Sequence, residues 1–434
     1  MKKSLNIIAA ALALLLTFAV FPVSPAKVTA KTAEPHWNVP AGYNEYDYDK
    51  CAAFLEITDG DGVKNGSKLS GNYDVNDPET WGTCWGFDED WNFVEVPCFS
   101  WTTSGNELRL SRMNTENRSL FGDLDLSGCE FLAFLQCSVN ELTGIDVSDC
   151  TALDFLHCYG NDLSELIVSG CTALNDLDCA STTLTELDVS GCTALASLLC
   201  QINHLTSLNV SGCTRLYELD CSNNQLTSLD LSDCSNLGIL NCFDNDLMSL
   251  DISGTPALER LNCSDNCLSE LDVSANPELY ILVCRNNGLR QLNLSGNDNL
   301  PLDTVRAEGN GTFGYSYEGS MLEGSVYANP GEGETFLGWY NAEGEQISAQ
   351  PVFNIVGTNE TELTARFSGN AVIHGSGDID GSGQTDITDA VLAIRIAMGL
   401  IDATPEQVEA GDMNGDYGIT VQDAVLILRA AMGL

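Results

Sequence analysis

From Phe121 onward the chain repeats itself every 21 residues. Leu142, Leu163, Leu184, Leu205, Leu226, Leu247, Leu268 and Leu289 each open a unit, and LTELDVSGCTALASLLCQINH, Leu184 to His204, is representative. A unit this short cannot bury its own apolar face, but stacked units bury a continuous core. Along Leu198-Leu-Cys200 alternate side chains point inward from a short strand. The asparagine two residues before the next unit, at Asn161, Asn203, Asn224, Asn245, Asn266 and Asn287, is placed to satisfy backbone groups where the chain turns out of the strand. Thr182 breaks that series, which predicts a weaker ladder there. With strands roughly 4.8 Å apart, nine units make an arc about 40 Å long.

The pattern L-x-x-L-D-V-S-G-C-T-x-L-x-x-L-x-C-x-x-N-x resembles the leucine-rich repeat, in a short bacterial form, over residues 121 to about 300. Two cysteine columns fall inside it. One runs Cys129, Cys150, Cys171, Cys192, Cys213, Cys234 and lapses to Thr255, Asn276 and Asn297. The other runs Cys137, Cys158, Cys179, Cys200, Cys221, Cys242, Cys263, Cys284. Fourteen of the 18 cysteines are thus repeat positions, so they are expected to be small apolar core residues with free thiols. Parallel inward Cβ vectors suit a disulfide poorly, and the columns lack the tetrahedral clustering of a metal site. Cys51, Cys84, Cys98 and Cys267 lie off this register, and a disulfide is expected first among Cys51, Cys84 and Cys98.

Strand positions that alternate with the core ones face outward. They include Phe134, Phe155, His157, Tyr159, Asp176, Asp178, Glu218, Asp220, Phe243, Arg260 and Arg285. The resemblance implies that this concave face holds a protein, or sometimes a glycan. The best candidate ligand patch is Phe134, Phe155, His157 and Tyr159, with Phe243; the alternative is ordinary solvated strand surface. The four histidines, His36, His157, His204 and His374, form no catalytic constellation with neighbours that spacing can place.

Residues 1–30 read as a secretory leader. Lys2 and Lys3 precede an apolar run from Leu5 to Phe21, and Val28-Thr-Ala30 offers a small-residue cleavage site. No later stretch is apolar enough to span a bilayer, so export and retention by something other than a membrane segment are expected. The formal charge is −44, and the last lysine is Lys68. Such a surface repels nucleic acid and anionic membrane and favours calcium and cationic protein patches.

Residues 31–120 hold Trp37, Trp81, Trp85, Trp91 and Trp101. A solenoid needs a cap, and aromatic packing would supply one; a platform for sugar rings is the alternative. Residues 121–304 are assigned to the repeats. Residues 305–368 alternate glycine with β-type runs, Gly324-Ser-Val-Tyr-Ala-Asn-Pro330, Phe336-Leu-Gly-Trp-Tyr340 and Leu363-Thr-Ala-Arg-Phe367, which predicts a small all-β module. These runs resemble the internalin-type B-repeat of bacterial surface proteins, implying a capping, spacing or adhesive unit. Residues 369–376 read as a linker.

The remaining segment, 377–434, is one motif written twice. GDIDGSGQTDITDAVLAIRIAMGL, Gly377 to Leu400, matches GDMNGDYGITVQDAVLILRAAMGL, Gly411 to Leu434, at an offset of 34 residues. Oxygen-bearing residues two apart in a turning backbone suit calcium. Loop one offers Asp378, Asp380, Ser382, the Gln384 carbonyl, Asp386 and Asp389. Loop two offers Asp412, Asn414, Asp416, the Gly418 carbonyl, Thr420, through a water, and Asp423. Two calcium ions are expected. Gly383 holds the sharp sixth position of loop one, whereas Tyr417 holds it in loop two, which predicts a different turn or weaker binding there. Neither loop shows an evident entering helix.

This doubled loop–helix resembles the type I dockerin of cellulosome proteins. The resemblance implies an α-helical calcium-binding module that docks on a cohesin of a scaffoldin. Ile387, Thr388, Val421 and Gln422, with Arg395 and Arg429, stand at the family's contact positions, and Ile387 and Val421 depart from its frequent Ser–Thr pairing. The expected architecture is therefore multidomain: a leucine-rich-repeat solenoid of short strands, a small all-β module and a dockerin. The expected function is a non-catalytic extracellular subunit, calcium-dependently anchored, whose solenoid recruits a protein or cell-surface partner. A carbohydrate-binding subunit and a polysaccharide hydrolase are the alternatives.

Overall fold

Each 21-residue unit makes one turn of a solenoid, and one residue triplet per turn adds a strand to a common parallel sheet. The computed structural model describes residues 37–87, 93–318, 323–331, 334–368, 376–398, 400–401, 403–413 and 419–432. The leader, Trp91, Asn414, Asp416, Tyr417 and Gly418 lie outside them, as do the side chains of Trp85 and Gln422. Eight repeat strands, from Phe134–Gln136 through Ile281–Val283, stand side by side in a 13-stranded sheet. The register advances by one unit per strand: Leu177 faces Leu156 on one side and Leu198 on the other. The central leucine of every strand is fully buried, from Leu135 to Leu282, and so are both cysteine columns. Period-2 alternation then leaves the flanking residues on the concave surface.

Two sequence devices set the turn. In the asparagine column, Asn203 donates to the Cys179 carbonyl at 3.0 Å and the Cys200 carbonyl at 3.2 Å, and accepts the Leu184 N–H at 3.2 Å. The same arrangement recurs at Asn161, Asn224, Asn245, Asn266 and Asn287. Asn140 belongs to the column as well, accepting the Leu120 N–H. Thr182 donates to the Cys179 carbonyl, but the buried Leu163 N–H has no acceptor among the described residues. The second device is the Asp of L-D-V-S, on the side opposite the concave face. Asp188, Asp230, Asp251 and Asp272 each accept the N–H of the serine two residues on. Much of the acidic charge is therefore turn chemistry.

The first cysteine column explains its own lapse. Cys150 and Cys171 donate their thiols to the carbonyls of Leu126 and Val147 in the preceding unit, at 3.1 and 3.0 Å. In the later units Thr255 donates to the Ile252 carbonyl at 2.8 Å and Asn276 to the same carbonyl at 3.0 Å. The position wants a small buried donor, which cysteine, threonine and asparagine all supply. All 18 cysteines are free, Cys51, Cys84 and Cys98 included, and Cys267 alone is exposed.

Both ends of the stack are closed by pairing. At the first end, helix α1 (Glu45–Leu55) is capped by the Asn44 side chain and buries Tyr48, Cys51, Ala52 and Leu55, spaced for one helical face. The short helix α2 (Asn65–Leu69) follows. The hairpin Phe99–Ser104/Glu107–Asn114 then joins the main sheet, its second strand parallel to Phe134–Gln136. Trp81 is buried against Tyr48 and Phe99, and Trp101 sits edge-on to Tyr43. These two tryptophans pack the cap. Buried Asp47 is held by Arg109 at 2.8 Å and by the Leu110 N–H at 2.9 Å.

At the other end the described elements between Thr304 and Ser368 are all strands, and they continue the solenoid on both of its sides. Thr312–Glu318 runs antiparallel to Ile281–Val283, and Thr304–Glu308 runs antiparallel to Gln291–Asn293. Trp339, Phe313, Tyr315 and Val326 fill the core of this segment. It thus covers the last repeat through backbone hydrogen bonds to that repeat. Among the described residues no helix is long and apolar enough to cross a membrane.

Candidate calcium loops and partner-facing surfaces

Three helices shape the remaining segment: α3 (Ile387–Ala397), α4 (Pro405–Gly411) and α5 (Val421–Met432). Helices α3 and α5 pack together over a core of Ile379, Ala390, Ala393, Met413, Ile419, Ala424 and Ile427. The two copies of the motif are therefore halves of one unit. Gly411 is a glycine for a packing reason, since an added Cβ would meet Ile419 at 2.7 Å and Ile379 at 2.8 Å.

Helix α4 corrects the expectation that neither loop has an entering helix. It leads directly into loop two. Its signal lies in Thr404-Pro-Glu-Gln407: Thr404 accepts the Gln407 N–H, Gln407 accepts the Thr404 N–H, and Pro405 opens the first turn. That is a capping box with proline at the favoured position.

In loop one the carboxylates of Asp378, Asp380 and Asp389 converge, with one oxygen from each lying within 4.8 Å of the others. None of the described ion pairs involves them. Three unneutralised carboxylates at that separation repel strongly, and a divalent cation with oxygen preference relieves the repulsion. The Ser382 hydroxyl and the Gln384 carbonyl lie 3.2 Å apart on the same turn, adding hard oxygens. Gly381 and Gly383 adopt left-handed backbone there, at φ 74° and 89°. The donor set fits calcium. Asp386 is placed apart from the three: it caps helix α3 by accepting the Thr388 N–H at 2.7 Å, which holds its carboxyl below the usual range.

Asp389 is fully buried and closes the loop. One oxygen accepts the N–H groups of Ile379 and Asp380, the other that of Asp386. Asp423 repeats this in loop two, accepting the Met413 N–H, the Thr420 N–H and the Thr420 hydroxyl, each at 2.8 Å. Asp412 leads out of α4 into that loop.

Among the residues at the family's contact positions, Ile387, Thr388, Arg395 and Arg429 are exposed and Val421 is half-buried. The structure adds a stripe that the sequence reading missed. Ile387, Val391, Ile394 and Met398 are 67, 50, 41 and 39% exposed, and their spacing places them on one face of α3. The twin helix presents Val425 at the position equivalent to Val391. The signal was available as apolar residues at i, i+4, i+7 and i+11 beyond those the core needs.

On the concave face Arg112, Phe134, Phe155 and Asp176 occupy consecutive strands in register. The Arg112 guanidinium sits 3.7 Å from the Phe134 ring centroid, and Phe134 stacks on Phe155 at 4.5 Å, 1° from parallel. The Phe155 and His157 rings follow at 3.8 Å. His157 Nε2 lies 3.3 Å from Asp176 Oδ1, out of line for a hydrogen bond. Tyr159 hydrogen-bonds Glu116 at the rim, at 3.1 Å. Burial raises the Asp178 carboxyl and lowers the Arg112 guanidinium from their ordinary values. Phe243 shares the register position of Tyr159 but stands four units further along, so it is not part of this cluster.

Residues 376–430 match the model of the family described as dockerin type I domain. Among solved structures, YopM from Yersinia enterocolitica WA-314 is 27% identical, with a TM-score of 0.35 over 44% of each chain. A functional domain of InlJ from Listeria monocytogenes, described as including a cysteine ladder, is 21% identical. Its TM-score is 0.24, over 55% of this chain and 76% of that one. An internalin, inlF, of the same species is also 21% identical, with a TM-score of 0.26 over 44% of this chain and 70% of that one. The chain thus spans less than half of the YopM structure that it matches. No curated protein matches the sequence. Residues 376–430 carry a dockerin type I domain, joined to a leucine-rich-repeat solenoid of 21-residue turns.

Proposed function

We propose that this protein is a non-catalytic, exported component of a cellulosome-type assembly. Its dockerin binds a scaffoldin cohesin in a calcium-dependent way, and its solenoid holds a protein or cell-surface partner. The observation that carries the reading is the doubled loop and helix of the matched dockerin domain. Asp389 and Asp423 fasten each loop to the start of its helix, and the exposed stripe Ile387, Val391, Ile394 and Met398 lies on the first of those helices. Metal affinity and helix presentation are thereby coupled. Each loop supplies one ion's worth of oxygen ligands, two ions in all. The apolar stripe supplies the buried centre of an interface, and Arg395 and Arg429 supply a cationic rim suited to an acidic partner.

Cohesin binding by the full chain, measured by calorimetry in calcium and again in excess chelator, tests this. Tight binding that vanishes on chelation is expected. Equal binding in both conditions overturns it.

A further inference from the structure

Among the described residues of the concave face, Arg112 is a cation held against a ring and in no ion pair. Arg112 is half-buried on the strand Glu107–Asn114, and its Nε is shielded from solvent with no hydrogen-bond partner. A desolvated guanidinium stacked on a ring is held flat and ready for a planar anion, and an unmatched buried donor costs stability until one arrives. Arg109, on the same strand, is by contrast paired with Asp47 through two hydrogen bonds. Beyond Arg112 the face changes chemistry in order along the solenoid axis: the stacked Phe134 and Phe155, then the carboxylates of Asp176 and Asp178.

We propose that this face binds an extended peptide segment of a partner protein in which a carboxylate and a cation lie about four residues apart, with an apolar side chain between them. The proposal rests on the reading that the solenoid holds a protein. The ligand carboxylate pairs with Arg112, the apolar side chain covers Phe134 and Phe155, and the cation sits at Asp176 and Asp178. The spacing follows from geometry. Arg112 and Asp176 are three strand steps apart, about 14 Å at the usual inter-strand distance, and an extended peptide rises roughly 3.3 Å per residue. The net charge of −44 disfavours a wholly acidic ligand and leaves the local order of charges to decide register.

A displayed library of random linear dodecapeptides, selected on the calcium-loaded full chain, provides the test. Enriched sequences should share an acid and a base at that spacing around an apolar residue. The best of them, as a synthetic peptide, should lose about tenfold or more in affinity against Arg112→Leu, and as much against Asp176→Asn/Asp178→Asn. Arg112→Lys should recover only part of the loss, because it restores charge but not the planar stack. Retained cohesin binding by each variant, with an unchanged circular dichroism spectrum, shows that it folds. Enriched peptides that bind Arg112→Leu as well as the parent overturn the proposal but leave the solenoid as a protein-binding element. An absence of enriched peptides, with Arg112-dependent binding of an oligogalacturonate instead, overturns both.

Discussion

The Asp389 carboxylate accepts the Ile379 N–H at 2.8 Å across ten residues of chain, and Asp423 accepts the Met413 N–H at the same distance across the equivalent ten. These bonds close each loop back on its own start and tie it to the helix that follows. Asp389 also contributes to the three-carboxylate convergence, whereas Asp386 caps α3. The two aspartates therefore answer differently to the same change. Asp389→Asn removes a charge and one acceptor, and should weaken calcium binding by about tenfold or more. Asp386→Asn keeps a good cap and should cost much less. Calcium titration of the full-length variants, followed by calorimetry, distinguishes them; equal losses would remove the assigned difference in roles.

How far the sequence disclosed this molecule depended on how often a feature was repeated. The 21-residue period exposed the buried leucines, both cysteine columns and the asparagine column, because each function was written many times at one spacing. The 34-residue duplication exposed the two loop-and-helix halves in the same way. Single-copy features were harder. Helix α4 is seven residues long, and its only signal is the start Thr404-Pro-Glu-Gln407. The counter-charge of Asp47 lies 62 residues away at Arg109, a distance no local pattern spans. Phe243 shares the column of Tyr159, and period alone gives the column and not the proximity. The pairing of residues 304–318 with the last repeat was hidden because a cap matches its neighbour's edge, not its sequence.

Thr182 predicts a gain of stability. The Leu163 N–H is buried and without an acceptor among the described residues, while the equivalent Leu142 and Leu184 N–H groups are accepted by Asn161 and Asn203. Thr182→Asn restores that acceptor and adds donors for the Cys158 and Cys179 carbonyls. It should stabilise the solenoid by about 1 kcal/mol. Asn203→Ala, which strands the buried Leu184 N–H and takes one of two donors from each of the Cys179 and Cys200 carbonyls, should cost about 1–2 kcal/mol. Urea unfolding of both variants checks the pair, and a destabilised Thr182→Asn would contradict the column's role.

Ile202 offers a second route to stability. It sits at φ 58° and is 56% exposed, in a column where other units place Gly160, Asn223, Asp244, Asp265 and Asn286, all at positive φ. A β-branched residue strains there, and little packing is lost on removing it. Ile202→Asn should raise stability by about 1 kcal/mol, read as a shift in urea midpoint at constant slope. Val139, at φ 56°, should respond in the same direction.

The thiol columns predict an alkaline limit. Burial pushes Cys129, Cys171, Cys192 and Cys234 up to about 12, from an ordinary value of about 9. The folded chain therefore holds protons that the unfolded chain releases between these values. Stability is indifferent to these groups below about pH 8. It falls as pH rises from about 9 toward 12, by about 1.4 kcal/mol per pH unit for each thiol that ionises on unfolding. Urea midpoints at pH 7.5, 9 and 10.5 should drop steeply over the last interval, and less steeply for Cys171→Ala/Cys192→Ala. In the native state at pH 8 one thiol, Cys267, should react promptly with a maleimide, since the other 17 are buried. Prompt modification of several repeat cysteines under those conditions would show that the columns are open to solvent.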